Sequence, residues 1–334
     1  MTAEKPGPLK IGSLTLSNPL LLAPLSGISN LPFRLLAKEQ GCGLVCTEML
    51  SAEGLLRNPR ASARLLRSSP EERPLAVQIF GSRPDVMAEA AKAVASLGAD
   101  LLDVNMGCPV RKVIKNGSGA ALLKDVARAA EVLRSVRRAV SIPLTVKIRS
   151  GWDEKSLNFL EVARAAEDSG VDALTVHGRT RTQGYGIQAD WEVIARTKNS
   201  LRIPVIGSGD LTSPEAIRHF FVRTGADGAM IGRGSFGNPW IFRQALLILR
   251  GLPPGEPSLG EKEETVLRHL EMLVQLQGEI HGPREFRKYL IWYTRGLRGS
   301  SDFRSQIPLW KDFSEMKIRI YEFFENLKKS PLFS

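Results

Sequence analysis

A carboxamide and a thiol three residues apart, Asn105 and Cys108, stand at the end of an apolar run in LLDVNMGCPVRKVIKNGSG, Leu101 to Gly119. The run reads as a buried strand that breaks into a turn. Pro109 and three cations, Arg111, Lys112 and Lys115, follow the thiol, and a helix is expected from about Ala120. A thiol shown on such a turn has three possible roles: nucleophile, acid or inert side chain. A nucleophile wants an adjacent base; none is near in sequence, and the chain holds only 4 His. An acid needs only a protonated thiol in reach, which an ordinary thiol pKa of about 8.5 allows.

Other side chains fit chemistry beside that thiol. Lys147 lies in the apolar strand LTVKIRSGW, where a buried ammonium is costly unless an anion faces it. Such a lysine suits the N1–O2 edge of a flavin. Gln78 in AVQIFG carries a donor and an acceptor, matching a flavin pyrimidine edge. His177 in TVHGRT could donate to a ring or phosphate oxygen or serve only the structure. Glycines cluster in Gly207-Ser208-Gly209-Asp210 and in Gly232-Arg233-Gly234. Paired loops of this kind bind phosphate through backbone N–H groups, and Arg233 would add charge-assisted bonds.

These residues need a scaffold that brings strand ends together. Strand-like runs recur at Leu20–Leu25, Leu44–Met49, Leu75–Phe80, Leu101–Met106, Leu144–Ile148, Ala173–His177, Ile203–Gly207 and Gly228–Gly232. Helical patterns lie between them, at Asp85–Leu97, Asp125–Val140, Leu157–Ser169 and Pro214–Val222, the last with Ser213 as N-cap. Three turns share one form: Gly98-Ala99-Asp100, Gly170-Val171-Asp172 and Gly225-Ala226-Asp227. Strands apolar on both faces, alternating with helices, predict an α/β fold, a (β/α)8 TIM barrel. A doubly wound sheet fits less well, because no G-x-G-x-x-G follows the first strand. In a barrel Gln78, Asn105, Lys147, Arg149, His177, Arg179, Asp210 and Arg233 converge on one mouth. Leu9 to Leu16 reads as a hairpin around Gly12-Ser13.

After about Gly251 the rhythm stops, and LPPGEPSLG reads as a linker. Helical segments follow at Glu261–Ile280, Pro283–Arg298 and Leu309–Lys328. The expected division is a catalytic barrel over 1–250 and a C-terminal helical domain over 251–334.

The chain has 334 residues, 43% hydrophobic and 24% charged, ordinary for a globular protein. No apolar run reaches the roughly 18 residues of a membrane span, so a cytoplasmic protein without a membrane partner is expected. Cys42 and Cys46 read as buried thiols, and no residue cluster predicts a metal. The formal charge of +11 favours a polyanionic partner. The excess lies before Gly251, since the last segment holds 13 Lys+Arg against 12 Asp+Glu.

NMGCPVRKV, VKIRSGW, HGRTR followed by ADW, and IGRGSFGNPWIF together closely resemble the tRNA-dihydrouridine synthases. APLSGISNLPFR and TEMLSAEGLL bring the bacterial B-type branch nearest. The resemblance implies an FMN-bound barrel and a helical domain that grips tRNA. It implies NADPH, or NADH, as reductant, hydride transfer to C6 of a uridine, and a proton from Cys108 to C5. By motif, Pro24, Leu25, Ser26, Gln78, Lys147, His177, Ser208, Gly209, Asp210, Gly232 and Arg233 fall on FMN positions. Asn105 and Arg179 fall where the uracil is held. Leu25-Ser26 stands where Met-Ala is usual, Ser208 where Asn is common, and Ile187 where a small residue is frequent. Arg284, Arg287, Lys288, Arg295 and Arg298 surround Trp292 and Tyr293, a mixture that suits RNA phosphate contact and stacking. Arg57, Arg60, Arg64 and Arg67, at helical spacing, would extend that basic track. Two other readings keep part of this: a flavin barrel acting on a small molecule, as in dihydroorotate-type dehydrogenases, and an RNA-binding protein without catalysis. Ribosomal RNA is an alternative substrate.

Overall fold

A computed structural model describes residues 7–63, 65–310 and 312–329. Strands β1 (Leu9–Ile11) and β2 (Leu14–Leu16) form the expected hairpin, with Gly12 at φ +56° in its turn. The barrel strands are β3 (Leu20–Leu22), β4 (Val45–Cys46), with a short continuation β5 (Leu50–Ser51), β6 (Leu75–Phe80), β7 (Leu101–Met106), β8 (Leu144–Arg149), β9 (Ala173–His177), β10 (Val205–Ser208) and β11 (Gly228–Ile231). All pair in parallel, in the order β3-β11-β10-β9-β8-β7-β6-β4. A bridge between Leu21 and Leu44 closes the ring. The (β/α)8 barrel is therefore observed.

The helices before the tail are α1 (Leu31–Glu39), α2 (Ala52–Arg57), α3 (Pro59–Ala63), α4 (Pro84–Ser96), α5 (Arg111–Ile114), α6 (Val126–Ala139), α7 (Phe159–Asp168), α8 (Trp191–Ser200), α9 (Pro214–Thr224) and α10 (Ile241–Leu249). Ser213 caps α9 by accepting the N–H of Ala216, with Pro214 at the first helical position. The expected helix at Ala120 is a 3-10 turn, Gly119–Lys124. Arg57 and Arg60 sit on separate short helices, because the chain leaves helical geometry at Asn58; they do not share one helical face. Arg64 lies outside the described residues.

The three Gly-x-Asp turns do one job. Gly98, Gly170 and Gly225 have φ of +80°, +83° and +63°, the left-handed region glycine tolerates. Each aspartate then accepts the N–H of the first residue of the neighbouring strand. Asp100 takes Leu75, Asp172 takes Leu144 and Asp227 takes Val205, each at 2.8 Å. Strand starts are thereby tied in register around the barrel.

Register decides what faces inward, because side chains alternate along a strand. The hairpin residues Leu9, Ile11 and Leu16 pack with Leu101, Ala173 and Ile206 and plug the barrel floor. One step up the same inward rows, Gln78 lies beside Asp103 and Asp103 beside Thr145. One step further, Asn105 lies beside Lys147, Arg149 beside His177, and His177 beside Ser208. The interior runs from apolar at the hairpin to polar at the strand C-termini.

The tail comprises α11 (Leu259–Tyr293), α12 (Ser300–Gln306) and α13 (Phe313–Lys328). At Gly278 (φ +85°, ψ 166°) α11 kinks, so it forms the two arms the sequence separates. Val266, Leu270, Phe286 and Tyr289 of the tail belong to the same apolar cluster as Phe33 and Ala37 of α1. No helix among the described residues is long and apolar enough to cross a membrane.

Candidate active site

A cavity of about 690 Å3 opens at the C-terminal ends of the strands, within the several hundred Å3 usual for a cofactor site. Asn105, Cys108, Lys147, Arg149, His177 and Asp210 line it. Pro24, Leu25 and Ser26 form another wall, and Ser208, Gly209, Gly232 and Arg233 complete it. Nearly all the residues picked out from strand ends and loops thus share one chamber, with the thiol and the glycine loops on its lining.

Cys108 is held by its backbone. Its N–H donates to Asn105 Oδ1 at 2.9 Å, and its carbonyl accepts Ala120 N–H at 3.1 Å. Gly119, at φ +60°, lies against it, and a Cβ there would come within 2.9 Å of that carbonyl. Arg149 fixes the preceding residue through Nε to Gly107 O at 2.8 Å. Burial raises the thiol pKa, against the N–H of Val110 and the charges of Arg149 and Lys147. The thiol therefore stays protonated at neutral pH.

Below this turn a relay of amides reaches into the barrel. Asn105 Nδ2 donates to Gln78 Oε1 at 2.8 Å, and Gln78 Nε2 donates to Asp103 Oδ2 at 2.6 Å. Thr145 Oγ1 donates to Asp103 Oδ1 at 2.5 Å. Gln78 is fully buried and lies outside the cavity lining, so it supports Asn105 from beneath instead of presenting an open edge. Burial raises the Asp103 pKa despite its bonds to Gln78 and Thr145.

Lys147 faces the cavity, and among the described residues no hydrogen bond or ion pair holds its ammonium. Burial, reinforced by the Arg149 guanidinium, lowers its pKa to about 8. His177 is held neutral, its pKa pushed well down by burial and then by Lys147 and Arg149. Among the described residues its Nδ1 has no partner, an unsatisfied buried polar atom at the cavity wall.

Asp210, at φ +55°, is a hub. It accepts Arg179 Nη2 with both oxygens, at 2.6 and 2.7 Å, Arg233 Nη2 at 2.8 Å and Ala189 N–H at 2.7 Å. Burial works against its ionisation, but Arg179, Ala189 N–H and Arg233 outweigh it and hold the carboxyl below its usual range. Arg179 is 1% exposed and sits behind Asp210, outside the cavity lining. Its Nε takes Ile187 O at 2.6 Å, so the following loop is tied through backbone while the Ile187 side chain is exposed.

Tyr185 and Phe236 also line the cavity, and sequence reasoning passed over both. The Tyr185 ring lies 4.1 Å from the Arg233 guanidinium carbon. The signal available for it was its place between two glycines, Gly184 and Gly186.

In the tail, Arg284, Arg295 and Arg298 are exposed and Arg287 and Lys288 half-buried. Arg287 Nη2 is bonded to Trp310 O. Tyr293 is buried and Trp292 stacks on Phe236 at 4.4 Å, so these two rings pack inward instead of standing free for bases. Cys42 and Cys46 are buried free thiols, as expected. Among the described residues no group of His, Cys, Asp or Glu is arranged to hold a metal ion.

Residues 21–328 match the dihydrouridine synthase (Dus) family. A tRNA-dihydrouridine synthase B from Pseudomonas syringae pv. tomato is 41% identical, over 97% of this chain and 96% of its own. A probable tRNA-dihydrouridine synthase from Rickettsia conorii is 40% identical over 96% of this chain and 98% of its own. Among solved structures, morphinone reductase superposes with a TM-score of 0.54 at 14% identity, covering 77% of this chain and 93% of its own. That likeness speaks for the fold alone. With a family match over residues 21–328 and relatives of nearly equal length, the chain belongs to the dihydrouridine synthase family.

Proposed function

We propose that this protein reduces a uridine of tRNA to 5,6-dihydrouridine, using FMN held in the cavity and NADPH as reductant. The observation that carries the reading is a protonated thiol in the same chamber as a glycine-lined loop pair, an unpaired lysine and an unpartnered histidine nitrogen.

The residues fit an anionic, ring-bearing cofactor. Gly209 and Gly232 leave backbone bare where a phosphate would lie, with Arg233 beside them. His177 Nδ1 needs a polar partner, and Lys147 needs an anion. Pro24, Leu25 and Ser26 offer a wall for a ring face. When bound, reduced FMN supplies a hydride to uracil C6.

The chain's own work is binding, orientation and one proton. Cys108 gives its S–H proton to C5, so hydride and proton together saturate the C5–C6 bond and leave a thiolate for solvent to reprotonate. Asn105, on the same rim, aligns the thiol through its bonds to the Gly107 and Cys108 N–H groups. Lys147 stabilises negative charge next to it. A uridine inside folded RNA must leave its stack to enter such a cavity. Residues 1–250 are assigned to catalysis and 251–334 to gripping RNA, with Arg284, Arg295 and Arg298 as exposed cations.

The test has two parts. Purified protein should carry a yellow chromophore that NADPH bleaches. RNA from a deletion strain, mapped position by position, should lose dihydrouridine in tRNA and regain it on complementation. Loss confined to ribosomal RNA, or a colourless protein that takes up no FMN, would refute the reading.

A further inference from the structure

The second arm of α11 does more than face outward. Tyr289 Oη donates to Ile28 O at 2.7 Å and accepts Asn30 Nδ2 at 3.0 Å. Lys288 Nζ donates to Gly27 O. These bonds hold the loop between β3 and α1, whose residues Leu25, Ser26 and Ile28 wall the cavity. One turn further on, Trp292 stacks on Phe236, with centroids 4.4 Å apart and planes 15° from parallel. Phe236 also lines the cavity. Behind it Gly237, at φ +61°, packs on the helix backbone so closely that a Cβ would lie 2.4 Å from Trp292 C. One helix of the tail therefore braces two separate walls of the chamber.

We infer that Tyr289 and Trp292 are positioning residues of the catalytic cavity: the helical tail shapes the flavin chamber as well as carrying cations for RNA. The two contacts reach different loops, while the Tyr289 and Trp292 rings themselves meet edge to face with centroids 5.6 Å apart. One is polar and reaches the loop after β3; the other is aromatic and reaches the loop after β11. Both come from the arm that also carries Arg284 and Arg287, so a segment placed to touch RNA is fastened to the flavin walls. The Tyr289 hydroxyl bonds two groups of this loop at once. Without it Asn30 Nδ2 and Ile28 O lose their shared partner, and the loop is freed where it meets the cavity.

This inference rests on the flavin reading, and the experiment separates the two. FMN dissociation is followed in the full-length protein by flavin fluorescence, alongside thermal unfolding. Three variants are compared: Tyr289→Phe, Trp292→Leu, and Phe323→Leu as a control. Phe323, on α13, stacks on Phe303 of α12 at 4.1 Å. Tyr289→Phe and Trp292→Leu should weaken FMN binding roughly tenfold or more. Phe323→Leu should leave it within about twofold at whatever cost in unfolding temperature, as expected of uncoupled sites. Trp292→Phe, which keeps a ring against Phe236, should recover most of the loss seen with leucine. If Trp292→Leu does not fold, Tyr289→Phe decides. Wild-type FMN affinity in Tyr289→Phe, or losses that follow unfolding temperature alike in all variants, would overturn the inference. A wild-type chain that takes up no FMN overturns the flavin reading itself.

Discussion

The side-chain oxygen of Asn105 accepts the backbone N–H of Cys108 at 2.9 Å. The same oxygen accepts Gly107 N–H at 3.1 Å, so one amide closes the turn that displays the thiol. Its nitrogen is committed to Gln78, which is committed to Asp103, and this fixes the orientation of every amide in the relay. Asn105→Ala should therefore leave FMN content near wild type but cut uridine reduction by roughly 10²-fold, the order expected when a reacting group shifts by about 1 Å. Single-turnover reduction of tRNA, together with the alkylation rate of Cys108, measures both effects. An unchanged alkylation rate would mean that the turn stands without Asn105.

Cys108→Ala should keep FMN, and NADPH should still bleach it, because no bond observed for Lys147, His177, Arg233 or Gly209 involves the sulfur. Dihydrouridine formation should fall by roughly 10²–10⁴-fold, the range for removal of a positioned acid. Dihydrouridine quantified by digestion of the treated tRNA is the readout. Yield equal to wild type would remove the acid role from Cys108.

The sequence was most legible where one physical cause acts alone. Strands β6, β7 and β9 are read to the residue because both faces are buried and turn glycines or polar residues bound them. The strand expected over Leu44–Met49 shrinks to Val45–Cys46, with pairing resumed at Leu50–Ser51, a break that apolar composition does not reveal. Helix α1 escapes notice because it buries a charge: Arg34 is 1% exposed, against the usual pattern of a helix face. Helix α8 was passed over although it buries Val193, Ile194 and Thr197 at helical spacing. In the site, position at a strand end was a sound guide to the rim but not to which way a side chain turns. Gln78 and Arg179 share that position with their neighbours, yet one points below the cavity and the other behind Asp210. Trp292 and Tyr293 read as stacking surfaces because sequence does not say which side of a helix the barrel will cover.

The exposed tail cations give a salt-dependent prediction. Arg284→Gln and Arg295→Gln should each weaken tRNA binding while leaving NADPH bleaching of the flavin unchanged. Each phosphate contact removed should lower the slope of log K against log salt by about 1. Binding titrations at several salt concentrations test this, and an unaltered slope in the double variant would place the RNA elsewhere.

Stability should depend strongly on one buried ion pair. Arg34 Nε and Nη2 bond Glu72 at 2.6 and 3.0 Å, with side chains 1% and 0% exposed. The same guanidinium takes Ser29 O at 2.8 Å and Arg67 O at 2.7 Å, binding the loop before α1 to the segment before β6. Arg67 in turn donates to Leu276 O, beside the kink of α11. Arg34→Met leaves Glu72 buried without its cation and should cost about 3–5 kcal/mol. Adding Glu72→Met should return only part of this, because the two carbonyls stay unpartnered. Urea midpoints of the single and double variants, at constant slope, measure the difference.

The pH profile should separate Lys147 from Cys108. Lys147 has a pKa lowered to about 8, so its ammonium is present below that pH and is lost as pH rises through it. Cys108 is shifted the other way, so its thiol keeps the acid proton until pH passes the ordinary thiol range of about 8.5. The alkaline limb of wild-type uridine reduction should therefore begin near pH 8 and report the lysine. In Lys147→Gln that limb should vanish, leaving a slower enzyme whose rate holds until the thiol ionises at higher pH. The same substitution should slow flavin reduction by NADPH at pH 7, where the wild-type lysine is charged, and narrow the difference at pH 9, where it is not. A limb that stays near pH 8 in Lys147→Gln would assign it to another group and return the lysine to a purely structural place in the barrel.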